Sequence, residues 1–93
     1  MKKIAAIIPT YNPQQSFITF VHQLLATSIT QVVIVNDGSD EKYETIFEEL
    51  KKIDRCKVLQ HEQNIGKGRA LKTAFSYIWS KRENVQGVLT VGA

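Results

Sequence analysis

Apolar positions along the 93-residue chain follow two spacings in turn. Short continuous runs rich in Val, Ile and Leu fall at 4–8, 32–36, 57–60 and 87–91. Each has the length of a strand and is bounded by polar or turn-forming residues. Three helical patterns lie between them. In the first, Phe17, Phe20, Val21, Leu24 and Leu25 recur at i, i+3, i+4, i+7 and i+8 and share one stripe. Asn12 is the expected N-cap, with Pro13 at the first helical position and Gln15 completing a capping box. The second pattern uses Tyr43, Ile46, Phe47, Leu50 and Ile53, with Asp40 and Glu41 complementing the dipole at its start and Lys51 and Lys52 at its end. The third uses Leu71, Phe75 and Ile78 beside Ala70 and Ala74, and begins just after "GKG".

The resulting order, βαβαβαβ, predicts an α/β fold with a Rossmann-like parallel sheet. Continuously apolar strands are expected to be buried on both faces under the helices. Ligands of such open sheets bind beyond the carboxyl ends of the strands. Three polar segments should converge there: "PTYN" (9–12), "NDGSD" (36–40) and "HEQNIGKGRA" (61–70).

Composition narrows the reading. The length suits one small domain, and 43% hydrophobic with 23% charged residues is the balance of a globular chain. The longest apolar runs are too short to span a bilayer. "MKKIAAIIPTYN" lacks the apolar length and the cleavage site of a secretory signal and reads as a first strand. Cys56 is the only cysteine, which points to a reducing, cytoplasmic setting and to a small buried strand residue rather than a reactive thiol. The net charge of +3 is mild, and apart from "KGR" (67–69) and "KR" (81–82) the cations are scattered, which argues against nucleic acid as a partner.

The rim residues suit a nucleotide, with a ring to pack against, carboxylates for base N–H or ribose hydroxyls, and cations for phosphate. Asp37 and Asp40 both lie in the second segment, Asp37 as ligand contact or turn former and Asp40 as ligand contact or helix N-cap. Gly66 and Gly68 either turn the chain into a helix or admit an anion, and the flanking Lys67 and Arg69 favour the anion. Tyr11 is a stacking or a packing residue. His22 and His61 read as structural or solvated, and Tyr77 and Trp79 as packing. No spacing resembles a metal site, and no nucleophile stands in a pattern with a base.

Taken together, "IIPTYN", "VVIVNDGSDE" and "NIGKGRALKTAFSYI" at these separations resemble the N-terminal part of family 2 glycosyltransferases, whose catalytic domain has the GT-A fold. The resemblance implies a partial GT-A fold and a nucleotide-sugar donor, most often a UDP-sugar, whose sugar is transferred to an acceptor with inversion. Pro9, Thr10, Tyr11 and Asn12 match the first nucleotide-contacting loop. Asp37 matches the aspartate that contacts the base, with Gly38, Ser39 and Asp40 shaping the turn. Asn64, Gly66, Lys67 and Gly68 match the segment that closes over the nucleotide, Lys67 being its charged contact. The last stretch looks most like the polyprenyl-phosphate sugar transferase branch, which leaves the acceptor open between polyprenyl phosphate, a saccharide and others.

The chain also departs from that pattern. In the family the fourth strand runs into an Asp-x-Asp motif that holds a divalent cation, Mg or Mn, for the departing diphosphate. Here "GVLTVGA" has Gly92 near that position, and no Asp-x-Asp occurs anywhere. The acceptor region and the family's general base lie downstream. Residues 1–93 are therefore expected to be the nucleotide-sugar-binding portion of a catalytic domain, inactive alone and containing no catalytic residue or metal ligand. The full-length protein would work in the cytoplasm or at the cytoplasmic face of a membrane. A partly exposed last strand is expected to favour self-association through the sheet edge. The alternative is a non-catalytic nucleotide-binding module or truncated homologue. A sugar-phosphate nucleotidyltransferase is disfavoured, because "PTYNP" replaces the glycine-rich loop such enzymes carry after strand one.

Overall fold

The computed structural model describes residues 2–81 and 84–92; Met1, Arg82, Glu83 and Ala93 lie outside them. The predicted alternation is present. Strand β1 (Lys3–Thr10) leads to helix α1 (Ser16–Leu25), then β2 (Gln31–Asp37), a 3-10 turn (Glu41–Tyr43), α2 (Glu44–Lys51), β3 (Cys56–His61), α3 (Lys67–Lys81) and β4 (Val85–Thr90). The strands form one sheet of order β3-β2-β1-β4, all pairs parallel. The chain steps outward from β1 to β3 and then returns past both to add β4. Because crossovers keep one hand, this reversal sends α3 to the opposite face from α1 and α2. This is an α/β fold consistent with a partial, Rossmann-like GT-A domain.

Two cores result. On one face Phe17, Val21 and Leu25 of α1 and Ile46, Phe47 and Leu50 of α2 cover Ala6, Ile8, Val32 and Ile34. On the other, Ala70 and Ala74 of α3 cover Ile7, Val33 and Val35. The expectation of strands buried on both faces holds for β1 and β2, whose central residues are fully buried. It fails for β3 and β4, which lie at the edges and whose residues are all exposed or half-buried.

Other details also depart from the sequence reading. Asn12 does not cap α1. The helix opens three residues later, from a turn in which the Phe17 N–H donates to Gln14 O at 3.0 Å, and the Gln15 side chain makes no capping bond. Asp40 caps the 3-10 turn only through its carbonyl, which accepts from Tyr43 N–H at 3.0 Å, and α2 ends two residues short of Ile53. Phe75 is 47% and Trp79 85% exposed, so neither is a packing residue. Alanines rather than bulky residues form the buried stripe of α3, which lets the helix lie close to the two central strands and leaves the next positions outward uncovered.

Candidate functional site

Among the described residues, the buried polar side chains are Thr10, Asn36 and Asp37. All three end β1 or β2 at the carboxyl rim. Burying polar groups is costly unless they are hydrogen-bonded, so the bonds they make show what the rim is built to hold.

Asp37 is 5% exposed. Its Oδ1 accepts from the Ile65 N–H at 3.0 Å and lies 2.8 Å from Nδ1 of His61, and its Oδ2 accepts from the Gly66 N–H at 3.0 Å. Burial pushes this carboxyl up, but the His61 bond, the two backbone donors and the charge attraction of His61 outweigh it and hold the group below its ordinary value of 3.8. The residue is therefore a carboxylate at neutral pH, and it folds the segment after β3 back over the end of β2. Two glycines make this approach sterically feasible. Gly38, at φ 69°, lies so close to the backbone of Gln63 and Asn64 that a Cβ would overlap both. Gly66, at φ 103°, occupies the left-handed region that presents its N–H to the carboxylate.

The loop after β1 is tied to the same turn. Asn12, at φ 49°, donates its N–H to Ser39 Oγ at 2.9 Å, accepts the Asp40 N–H on Oδ1 at 2.9 Å and donates from Nδ2 to Asp40 Oδ2 at 3.3 Å. Asn36 Oδ1 accepts the Ser39 N–H at 3.0 Å. A short polar side chain tolerates this backbone conformation. Asn12, Ser39 and Asp40 thus spend polar atoms on joining two loops.

Between these loops lies an open cavity of about 360 Å³ lined by Pro9, Thr10, Tyr11, Asp37, Asn64, Gly66 and Lys67. Asn12 instead lines an adjoining cavity of about 490 Å³ with Tyr11, Pro13, Phe17, Phe20 and Gly92. Tyr11, half exposed, stands between the two. Of the remaining residues the sequence singled out, Gly38, Ser39 and Asp40 shape the turn, and Gly68 sits in the first turn of α3 with open space around it. Lys67 supplies a cation at the start of α3, where the helix dipole also favours an anion.

Two residues escaped the sequence reading as parts of the site. His61, at the end of β3, bridges Asp37 to Thr73, its Nε2 lying 2.8 Å from Thr73 Oγ1. The available signal was a histidine closing a strand that enters the glycine-bearing loop, with a hydroxyl in the helix that follows. Cys56 is remote from the rim, and burial pushes its thiol up to about 11, so it is neutral under ordinary conditions. Among the described residues no group of three or more His, Cys, Asp or Glu could hold a metal ion. Thr90, Val91 and Gly92, at and just beyond the end of β4, bring no carboxylate, so the residues present do not fit a divalent cation. No described helix is long and apolar enough to cross a membrane.

Residues 5–81 match the family model described as glycosyl transferase family 2. No curated protein matches the chain.

Proposed function

The chain belongs to glycosyl transferase family 2, a family that transfers the sugar of a nucleotide-sugar donor to an acceptor, and from that premise we propose that the cavity at the carboxyl rim receives the nucleotide of the donor. The supporting observation is the bonding of Asp37. A carboxylate offers about four lone-pair positions, of which three are occupied by His61, Ile65 and Gly66. The position left on Oδ2 can accept one further N–H from a ligand in the cavity that Asp37 lines. Uracil and guanine present a ring N–H that meets this need directly, whereas cytosine and adenine offer only an exocyclic amino N–H beside a bare ring nitrogen whose lone pair would also face the carboxylate. A single-ring base suits a cavity of about 360 Å³, and UDP-sugars are the donor class proposed. Tyr11 offers its face to the base, and Lys67 with the start of α3 offers charge to the diphosphate.

In this reading residues 1–93 are the nucleotide-binding portion of a catalytic domain, and transfer with inversion to a polyprenyl phosphate or other acceptor needs residues this chain does not supply. The divalent cation of the family would be held elsewhere than at the end of β4. A second reading, a nucleotide-binding module without catalysis, is favoured by the missing carboxylates at Val91 and Gly92.

Titration with UDP, GDP, CDP and ADP, followed by amide shifts in NMR, tests the proposal. UDP is expected to shift the amides of Thr10, Asp37, Gly66 and Lys67, with CDP and ADP shifting that of Asp37 much less. Lys67→Ala should weaken UDP by about tenfold while changing stability by less than about 0.5 kcal/mol. Equal shifts from all four nucleotides, or UDP shifts away from this rim, would overturn it.

A further inference from the structure

We infer that His61 is a positioning residue of this site, fixing the plane of the Asp37 carboxylate and tying it to α3. The functional half of the inference rests on the nucleotide reading above; the structural half stands apart from it. The torsion that sets a carboxylate plane is broad and roughly two-fold, so nothing within Asp37 itself aims the remaining lone pair of Oδ2. Three donors do so. Two of them, the Ile65 and Gly66 N–H groups, belong to the loop that the carboxylate is holding. Only His61 approaches from outside that loop, anchored in β3, with its side chain 11% exposed.

The hydrogen inventory supports this role. Carboxylate oxygens only accept, so Nδ1 of His61 carries a hydrogen toward Asp37 Oδ1. Nε2 then faces the Thr73 hydroxyl, which also lies 3.0 Å from the Arg69 carbonyl. Thr73 has one hydrogen and two acceptors within reach when the ring is neutral, and it serves both neighbours when Nε2 also carries a hydrogen. In either case Asp37, His61 and Thr73 join the end of β2, the end of β3 and the second turn of α3. The first residue of that helix, Lys67, lines the cavity. His61 therefore sets both the direction of the carboxylate and the place of the cation relative to it.

The test compares His61→Phe, which keeps ring volume without nitrogens, with His61→Asn, which returns an amide donor near the place of Nδ1, and Thr73→Val with Thr73→Ser. Each variant is measured for UDP affinity and, without nucleotide, for hydrogen exchange at the Ile65 and Gly66 amides. Nitrogen-15 spectra of the wild-type ring should show Nδ1 protonated, and Thr73→Val should alter the Nε2 resonance. His61→Phe is expected to weaken UDP by about tenfold and to accelerate exchange at both amides, with His61→Asn restoring most of the affinity. Thr73→Val should fall between them, and Thr73→Ser should match wild type. UDP affinity within about twofold of wild type together with unchanged exchange in His61→Phe would overturn the inference. Should that variant not fold, unchanged affinity and exchange in Thr73→Val would overturn it equally. If the wild type bound no UDP, the nucleotide reading would fall, while accelerated exchange in the His61 and Thr73 variants would still uphold the positioning link and unchanged exchange would sink it.

Discussion

The two rims of the sheet are built on opposite plans. At the carboxyl rim a buried carboxylate, Asp37, is bonded to Ile65 and Gly66, and half-buried Asn12 is bonded to Ser39 and Asp40, all across long sequence separations. At the amino rim a larger cavity, about 610 Å³, lies between α1 and α2, and its charged residues include Glu49, Lys52, Asp54 and Arg55. Those four charged residues are all exposed. Lys52 reaches Glu49 at 3.5 Å across one turn, with both side chains more than half exposed, a pairing worth little. Arg55 donates from Nη2 to the Leu25 carbonyl at 3.2 Å and so closes the end of α1. Cavity size alone would point to the amino rim. Buried, hydrogen-bonded polar groups mark the other one, because a chain sustains that cost only where polar atoms are held in defined positions.

The sharpest way to break the contrast is Gly38→Ala. Its Cβ has no room against Gln63 and Asn64, and φ 69° is unfavourable for any side chain. A loss on the order of 2–3 kcal/mol is expected in urea unfolding, together with loss of UDP binding. Asp37→Asn should come next, at about 2 kcal/mol, because one amide oxygen cannot serve three donors. Its effect has a direction in pH. The folded carboxyl sits below its ordinary value, so its stabilisation is complete above the unfolded value near 3.9 and is lost as pH falls through the lower folded value. The stability gap between wild type and Asp37→Asn should therefore narrow in acid, which urea unfolding at pH 7 and pH 3 would show. Arg55→Gly should do least. It relieves a non-glycine residue at φ 65° and removes the bond to Leu25, two effects of about 1 kcal/mol and opposite sign. Unchanged UDP affinity in that variant would sharpen the distinction between rims, and a large loss would erase it.

The order of elements was legible because periodicity is local. The runs at 4–8 and 32–36 and the stripe of Phe17, Val21 and Leu25 each carry their own signal within a few residues. What the sequence left hidden is long-range. Asn12 has the chemistry of an N-cap, but Ser39 and Asp40, more than 25 residues away, compete for it and win. His61 and Thr73 are meaningful only once β2, β3 and α3 are side by side. Phe75 and Trp79 fit a helical apolar stripe, yet α3 packs through Ala70 and Ala74 on two central strands and, among the described residues, no second helix lies on that face to cover its outer positions. The rim segments themselves were predicted as the three loops that meet. Of the twelve residues singled out there, seven line one cavity, and the others shape turns, stitch loops or stand beside it.

The contact of Gly38 with Gln63 and Asn64 has a consequence for how this rim can vary. The loop after β3 leaves no room for a side chain at position 38, where φ 69° adds its own strain, and Asp37 and Gly66 hold that loop in place. Once Asp37 or Gly66 is changed, the loop is released and a side chain at 38 costs much less than it does alone. Substitutions at these three positions should then be strongly non-additive, so that the lock is lost at the first step and single-residue drift from within it is a narrow path.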